Sequence, residues 1–347
     1  MNQPALDGAL RAQVQLATGL DASAMPVHKL KGDASNRSYF RVGTPPASQV
    51  LMVMPKDALT RSEEATKGAA PQELPFLNVH RYLTGLGVRV PRILRYDEPE
   101  GMMVLEDLTD LTFEAALKTG SPEALYSRAV RLLARLRADA ERLPDPACIA
   151  FGRSFDEDLY DWEFHHFREW GLEAWSGKKP TREERDELDA IFRQLSAQLA
   201  AAPRGFTHRD YQSRNLMVKD DDLVVIDFQD ALLGPRQYDL VALLRDSYVE
   251  LERPFIEQML AVYVDEFEKQ TAEKIELGGF TRFFDLLTVQ RKLKDAGRFE
   301  YINRVKGNPG FLVSIPASLR YVRAAFEKLP HLSDLRRLVA KYVPELS

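Results

Sequence analysis

The sequence has little cysteine and no excess of charge of one sign. Its 347 residues include one cysteine, Cys148, so no disulfide can form within the chain. Such sparing use of cysteine fits a reducing compartment. Acidic and basic residues nearly balance, at 52 and 47, for a formal net charge of −5. A protein that neutralises nucleic-acid phosphates needs a basic excess, so this balance argues against nucleic acid as a partner.

Long apolar runs are missing as well. No stretch approaches the roughly 20 apolar residues that span a bilayer, although 45% of the chain is hydrophobic. The first residues, MNQPALDGALRAQ, lack the basic start and apolar run of a secretion signal. No repeat or low-complexity segment is present. We therefore expect a cytoplasmic protein without a membrane partner, large enough for one sizeable core or two smaller ones.

The predicted secondary structure changes character near residue 106. A short amphipathic helix is predicted at 5–18, and another begins at Pro75 and ends near Gly85 and Gly87. Strands are predicted at 29–42, 49–54, 92–96 and 102–106. Helices are predicted at about 122–143, 155–172, 181–202, 236–250, 254–272 and 279–295, interrupted by one hairpin at 216–227. We expect an α+β fold with a strand-rich N-terminal lobe (1–106) and a larger helical C-terminal lobe (107–347).

Three polar residues stand out in the stretch FTHRDYQSRNLMVKDDDLVVIDFQD, residues 206–230. They are Asp210, Asn215 and Asp227. Two short apolar runs flank a polar turn, which predicts a β-hairpin. If Val218 pairs with Leu223, Asn215 lies opposite Ile226 and Asp227 lies beside it, at the open end of the hairpin. An amide oxygen and a carboxylate there can share a Mg²⁺ ion, and Asp210 can orient a hydroxyl close to it.

The spacing of these residues is typical of phosphoryl transfer. The pattern His-x-Asp-x4-Asn, followed by an apolar strand that ends in Asp-Phe, is the catalytic set of kinases. That chemistry needs an aligned nucleophile and positive charge near the transferring group. The alternative is a solvated acidic hairpin, since acidic residues usually lie at surfaces. It is disfavoured because carboxylates at the end of a strongly apolar strand need a partner.

The N-terminal lobe is expected to hold the nucleotide. The turn at 32–38 reads GDASNRS, and its small residues let backbone N–H groups approach phosphate oxygens. Ser35, Asn36 and Arg37 add donors and charge. The connector from Glu106 to Leu108 can offer backbone groups to an adenine edge. An ordinary hairpin turn and a plain linker are the alternatives for these two segments.

Several stretches resemble a known family. They are GDASNRSYFRV (32–42), PFLNVHRYLTGLGVRVPRIL (75–94), GMMVLEDL (101–108), FTHRDYQSRNLMV (206–218), VVIDFQDALLGPRQYDLVALLRDSY (224–248) and QRKLKDAGRF (290–299). The chain resembles the aminoglycoside phosphotransferase and choline kinase superfamily. Within it, the chain looks most like the anomeric N-acetylmuramate/N-acetylglucosamine kinases of bacterial cell-wall recycling.

The resemblance implies a protein-kinase-like, two-lobed fold with ATP and Mg²⁺ as cofactors and an N-acetyl amino sugar as acceptor. Asp210 matches the catalytic base, Asn215 and Asp227 match the Mg²⁺ ligands, and Asp239 matches a residue that braces the catalytic loop. Ser35 and Asn36 fall in the phosphate loop. Gln290, Arg291 and Lys294 lie on a helix that is expected to present polar groups to the acceptor, with a solvated basic face as the alternative for the last two.

The chain departs from the family pattern at the third strand. Aminoglycoside and protein kinases carry a phosphate-binding lysine there, but this strand reads VLMVMPKD. Where the sugar kinases often have an aspartate, this chain has Val53. The phosphate charge is then left to metal, to backbone N–H groups or to the basic residues Arg37, Arg41 and Lys56. The acidic residue expected on the following helix has three candidates, Glu63, Glu64 and Glu73.

Two other functions stay open from the sequence. A cationic acceptor such as an aminoglycoside or choline needs acidic or aromatic residues, and DEDLYDWEFHHFREW (156–170) supplies both. A catalytically inactive kinase-like binding module is the other, supported by the missing strand lysine. His208 is expected to support the catalytic loop. The sequence does not indicate the oligomeric state.

Overall fold

The structure, a computed structural model, describes residues 14–19, 25–30, 37–54 and 73–347. Five positions considered above, Ser35, Asn36, Lys56, Glu63 and Glu64, lie outside this part of the chain. Most of the helix predicted at 5–18 does so too, while residues 14–18 are helical. In the described ranges no helix combines the length and the apolar character needed to cross a bilayer.

Five antiparallel strands form the N-terminal sheet, in the order β1-β2-β3-β5-β4. They are β1 (Val27–Lys29), β2 (Ser38–Val42), β3 (Gln49–Val53), β4 (Ile93–Asp97) and β5 (Met102–Glu106). The central strands β3 and β5 are rich in Val, Leu and Met, as expected where both faces of a sheet are covered. The predicted strands at 49–54, 92–96 and 102–106 are confirmed, and the run predicted at 29–42 contains β1 and β2.

Helix α1 (Pro75–Gly85) connects this sheet to the catalytic segment. Pro75 occupies the first turn, where a missing N–H costs no hydrogen bond. Phe76, Val79 and Leu83 are buried along one face. The ring centroids of Phe76 and Phe228 are 4.9 Å apart, so α1 packs directly on the residue after Asp227.

Helices form most of the chain beyond residue 112. They are α2 (Phe113–Ala116), α3 (Pro122–Arg142), α4 (Glu157–His166), α5 (Arg182–Ala200), α6 (Tyr238–Leu244), α7 (Arg253–Thr271), α8 (Leu277–Lys306), α9 (Ile315–Phe326) and α10 (Ser333–Ala340). The segment Phe167–Ala174 continues α4 in wider, π-helical turns. The helical character predicted for this lobe is therefore confirmed.

Two helix predictions need correction, and two helices were missed. The helix predicted at 236–250 ends at Leu244, because the chain turns so that the Asp246 carboxylate reaches the catalytic loop. Helix α8 runs to Lys306 rather than 295, since its buried charged residues weaken the apolar period on which the prediction rests. Helices α9 and α10 were not predicted.

The C-terminal lobe contains two small sheets, of which the sequence predicted one, the hairpin. Strands β7 (Leu216–Lys219) and β8 (Asp222–Val225) form the predicted hairpin. Strands β6 (Arg204–Thr207) and β9 (Leu232–Pro235) form the second sheet, on either side of the catalytic loop. The sequence pattern did not predict this strand pair, because it contains glycine and proline, which are uncommon in strands. A Cβ on Gly205 would lie 2.6 Å from the Arg137 guanidinium, so the strand needs glycine at that position.

Candidate active site

The hairpin has the register that the sequence predicts. Val218 pairs with Leu223, and the Ile226 N–H donates to the Asn215 carbonyl over 3.0 Å. The two turn residues, Asp220 and Asp221, both have a positive φ, which aspartate tolerates and which two-residue hairpin turns favour. This turn fixes which residues meet at the other end of the hairpin.

Asn215 joins the backbone of Asp210 to the Asp227 carboxylate at that open end. Its Nδ2 donates to the Asp210 carbonyl over 2.9 Å and lies 3.3 Å from Oδ2 of Asp227. This leaves the amide oxygen, the atom that a cation would use, on the other side of the amide group. Gln229 Nε2 donates to the second oxygen of Asp227 over 2.9 Å. The three residues predicted from sequence therefore lie together at the open end of the hairpin.

The electrostatics of Asp227 suit a bound cation. Burial raises the pKa of Asp227 to about 6, the hydrogen bond from Gln229 opposes the rise, and the nearby Asp210 and Asp230 carboxylates add to it. A carboxylate crowded by other carboxylates gains from a divalent cation. In the described part of the chain, no group of three or more His, Cys, Asp or Glu side chains could hold a metal by itself. Mg²⁺ fits this donor set, because it binds one or two protein oxygens and completes its shell with water and phosphate.

Two buried acids hold the backbone of the catalytic loop. The Asp239 carboxylate accepts the N–H groups of His208 and Arg209, over 2.7 and 2.9 Å. It thus braces the loop in the way that the family resemblance implied. Asp246 accepts the Ser213 N–H over 2.9 Å, a role that the sequence analysis missed. Its only signal in the sequence is an acid seven residues after Asp239.

His208 is a buried, neutral support of the same loop. Burial lowers the pKa of His208. The Asp210 N–H donates to its Nδ1 over 3.2 Å, so the ring proton lies on Nε2, which bonds to the Ile226 carbonyl over 3.0 Å. The ring therefore links the loop before Asp210 to the strand before Asp227.

The connector between the lobes begins with an acid that is surrounded by cations. The Glu106 carboxylate accepts from Arg89 over 2.5 Å and pairs with Lys219 and Arg92 at 3.1 and 3.2 Å. Burial raises the pKa of Glu106, but the hydrogen bonds from Arg89 and Lys219 outweigh it and hold the pKa at about 2. The Glu106 N–H donates to the Arg92 carbonyl, so it is already used within the sheet. The backbone contacts predicted for the adenine therefore fall to the other backbone groups of residues 106–108.

Two acidic residues at and after the connector bind Arg41, one of the basic residues considered for the phosphates. Asp107 accepts hydrogen bonds from Arg41 over 2.7 Å and from Ser48 over 2.6 Å. Arg41 also pairs with Asp110, and these two acids raise its pKa. Arg41, one of the three side chains considered for the phosphates, is thus held at the connector by its own acidic partners.

Leu108 lies in a small apolar cluster that links the connector to the hairpin. The cluster contains Leu108, Met217, Val224 and, partly buried, Ile226. The Val218 N–H reinforces the same junction by donating to the Leu111 carbonyl over 2.8 Å. An apolar surface beside a polar connector offers both kinds of contact that a planar base needs. Of the four residues in this cluster, the sequence analysis had assigned only Leu108 to the nucleotide.

Arg37 is the one predicted phosphate-loop side chain that the structure describes. It hydrogen-bonds the partly buried Tyr39 side chain. Its charge also opposes the rise in the pKa of Asp227, which places it near that carboxylate. Arg37 therefore brings positive charge from the N-terminal lobe toward the open end of the hairpin.

The three candidates on α8 are buried rather than solvated. Gln290 Nε2 donates to the buried Glu163 carboxylate over 2.5 Å. Arg291 Nη2 contacts Oδ1 of Asp210 at 3.1 Å, and Lys294 lies 3.3 Å from Asp295. The alternative of a solvated basic face was therefore wrong. A contact with the acceptor stays a prediction for all three.

An aromatic group lies on α4 and its continuation, within the segment considered for a cationic acceptor. Trp162 stacks on His166, with ring centroids 5.2 Å apart, and 42% of its surface is exposed. Trp170 and His166 both contact Tyr301 of α8 edge to face. Trp162 is thus partly exposed, whereas its neighbour in sequence, Glu163, is fully buried.

Known sequences resemble most of this chain. The model of the phosphotransferase enzyme family matches residues 26–273. An N-acetylmuramate/N-acetylglucosamine kinase of Pseudomonas aeruginosa is 34% identical over 316 residues, 89% of this chain and 86% of that protein. A kinase of the same name from Neisseria meningitidis is 31% identical over 322 residues, 90% of this chain and 89% of that protein.

Solved structures share the fold. A choline kinase from Streptococcus pneumoniae superposes with a TM-score of 0.59 at 14% identity, over 93% of this chain and 98% of that one. An ADP-bound aminoglycoside phosphotransferase gives 0.58 at 14% identity, over 92% and 99%. The two-lobed, kinase-like α+β fold predicted from the sequence is confirmed. The family model and the relatives each match most of the chain, and the chain therefore belongs to the phosphotransferase enzyme family.

Proposed function

We propose that this protein is a kinase that transfers the γ-phosphoryl group of ATP to the anomeric hydroxyl of N-acetylmuramate and N-acetylglucosamine. The observation that carries the reaction type is the position of Asn215, which joins the Asp210 loop to Asp227. The acceptor is inferred from relatives of that name, whose similarity extends over about nine-tenths of the chain.

Asn215 and Asp227 are the residues that would hold Mg²⁺. A bound Mg²⁺ ion neutralises charge that develops on the transferring phosphoryl group. The apolar cluster around Leu108 would receive the adenine ring, and Arg37 would meet the phosphates in place of the missing strand lysine. Arg37 suits this role better than Arg41 does, because the Arg41 guanidinium is already bound to Asp107 and Asp110.

Asp210 would orient the acceptor hydroxyl and accept its proton. Its side chain is 37% exposed, so an incoming alcohol can reach it, whereas the loop around it is buried. Phosphoryl transfer makes small demands on base strength and large demands on alignment. The hydrogen bonds of the Asp239 and Asp246 carboxylates to the loop backbone supply that alignment.

A neutral acceptor fits the residues around the site better than a cationic one. Glu163, the buried acid in the 156–170 segment, already accepts a hydrogen bond from Gln290. An N-acetylated amino sugar carries no positive charge that would need this acid. The exposed part of Trp162 can pack against the apolar face of a sugar ring, as aromatic side chains in ligand pockets do.

An acceptor screen tests the proposal. The protein is assayed for ADP release with N-acetylmuramate, N-acetylglucosamine, choline and kanamycin, with and without Mg²⁺. We expect turnover with the two sugars alone and a product phosphorylated at the anomeric position by ³¹P NMR. Turnover with choline or kanamycin alone would assign a cationic acceptor. Absence of Mg²⁺-dependent turnover with every acceptor would indicate an inactive binding module.

A further inference from the structure

Arg291 contacts the catalytic carboxylate from a distant part of the chain. Its Nη2 lies 3.1 Å from Oδ1 of Asp210, and its Nη1 donates to the Arg209 carbonyl over 2.8 Å. The guanidinium therefore contacts the catalytic loop at two points, one on the side chain of Asp210 and one on the peptide group that precedes it. A planar fork with two donors fixes orientation as well as distance.

The arginine itself has little freedom to move. Its side chain is 3% exposed, and the guanidinium carbon lies 4.8 Å from the centre of the Tyr238 ring. Gln290 anchors the same turn of α8 to Glu163 on α4. On the opposite side of the helix, Lys292 bonds to Ser247 over 3.0 Å. Buried charges with fixed partners keep their geometry, because leaving one unpaired in the interior is costly.

The other braces of the loop do not reach the reacting group. Within the loop, the Asp239 and Asp246 carboxylates accept the backbone N–H groups of His208, Arg209 and Ser213. They set the path of the chain but leave the rotation of the Asp210 side chain open. Among the hydrogen bonds of the described residues, the contact with Arg291 is the one that engages a carboxylate oxygen of Asp210.

We propose that Arg291 is the positioning residue for Asp210. By binding Oδ1, it turns Oδ2 toward the acceptor hydroxyl and keeps the carboxylate from rotating away when the acceptor arrives. This role rests on the proposed function, in which Asp210 receives that hydroxyl. It differs from the acceptor contact predicted from the sequence, because the guanidinium is buried behind the base and acts through it.

Four variants test the role: R291A, R291K, D210N and the control R253A. Arg253 is a matched control because it also pairs through two nitrogens with a buried acid of α8, Asp285, at 2.5 and 3.1 Å. For each variant we measure kcat, the KM of the nucleotide and Tm, using whichever acceptor of the panel the wild-type protein phosphorylates. Activity of R291A is also measured with added guanidinium, at concentrations that leave its Tm unchanged.

We expect R291A to lose about 10²-fold in kcat, the effect of a small misplacement of a reacting group, with little change in the KM of the nucleotide. R291K keeps the charge but lacks the two-point fork, so its kcat should lie between those of R291A and the wild type. Added guanidinium should restore part of the kcat of R291A. R253A should lower Tm, keep its kcat and show no response to guanidinium.

Two results would overturn the role of Arg291. One is a kcat of R291A that equals that of the wild type. The other is a loss that follows the folded fraction, with no recovery in guanidinium and no advantage of lysine over alanine. The D210N variant separates this failure from failure of the proposed function. If D210N is inactive while R291A is fully active, only the proposed role of Arg291 is wrong. If D210N is active, the proposed role of Asp210 as base and the proposed role of Arg291 are both wrong.

Discussion

At the scale of single residues, the site separates chemically similar carboxylates by their surroundings. Asp227 shares its oxygens with Gln229 and Asn215, and desolvation together with the nearby Asp210 and Asp230 carboxylates raises its pKa to about 6. Asp210 instead contacts the Arg291 guanidinium. A carboxylate among other acids suits a metal ion and one held by an arginine suits an incoming alcohol, so the surroundings rather than the residue type separate the two proposed roles.

The role of Asp210 predicts a specific kinetic loss. Changing Asp210→Asn removes the proton acceptor but keeps the size of the side chain, so kcat should fall about 10²–10⁴-fold. Nucleotide affinity, measured by titration calorimetry with Mg²⁺, should change little because the metal ligands remain. A variant that keeps the wild-type kcat would contradict the assignment.

The role of Asp227 predicts a loss of metal affinity. Outer-shell partners of metal ligands are worth 10–100-fold in affinity, so removing a ligand by D227N should raise the Mg²⁺ concentration for half-maximal activity by at least about tenfold. The matched control is D222N, because Asp222 is an exposed acid at the opposite end of the same hairpin. Equal Mg²⁺ dependence in the two variants would exclude Asp227 as a ligand.

At the scale of elements, the connector after β5 depends on paired charges. Glu106 stabilises the fold through Arg89, Lys219 and Arg92, which hold its pKa at about 2, below its ordinary value of 4.5. A depressed acid contributes stability that is fully present above pH 4.5 and is lost as the pH falls toward 2.

The variant E106Q should therefore be destabilised by about 1.5–3 kcal/mol at pH 7, the range for hydrogen bonds to charged groups. The difference from the wild type should narrow as the pH falls from 4.5 toward 2. Urea unfolding across this range measures both effects. The control E98Q removes an exposed acid of the β4–β5 turn and should show neither. If the difference in free energy of unfolding between E106Q and the wild type stays constant with pH, the Glu106 charge does not stabilise the fold.

The hairpin and its polar residues were predictable because their information is local. Two apolar runs around a two-residue turn fix the register, and the register places Asn215 beside Asp227. The β6–β9 pair was missed because its strands are separated along the chain and carry Gly205, Gly234 and Pro235. Pairing of that kind depends on close packing with other elements rather than on a local pattern.

The charged residues of α8 show a different limit of sequence reasoning. Spacing placed Arg291 and Lys294 on one helix face, but spacing does not show whether that face is solvated or buried. Their acidic partners, Asp210 and Asp295, belong to a distant loop and to the same helix. The first of these contacts could not be read from α8 alone, because it is made by tertiary packing.

At the scale of the whole molecule, the two lobes meet at the catalytic segment. Phe228 is fully buried and its ring packs on Phe76 of α1. The Val225 N–H donates to the Arg89 carbonyl over 2.8 Å, and Lys219 reaches the connector at Glu106. The hairpin that leads to Asp227 therefore contacts both lobes.

Loss of the Phe228 ring should be costly to the whole fold. The F228A variant leaves a cavity at this junction, and we expect it to lower the free energy of unfolding by about 3–5 kcal/mol. Urea unfolding monitored by circular dichroism gives the value. The control L277A removes an apolar side chain that is 41% exposed, so a change within about 0.5 kcal/mol is expected. Equal effects of the two substitutions would show that the ring is not part of the core.

The family match ends at residue 273, whereas α8 begins at Leu277. The matched span therefore stops before the helix whose Arg291 contacts Asp210. A fragment trimmed to that span would retain the hairpin with Asn215 and Asp227 but would lose the proposed positioning residue. If Arg291 positions Asp210, the smallest active unit of this protein is longer than the span by which its family is recognised.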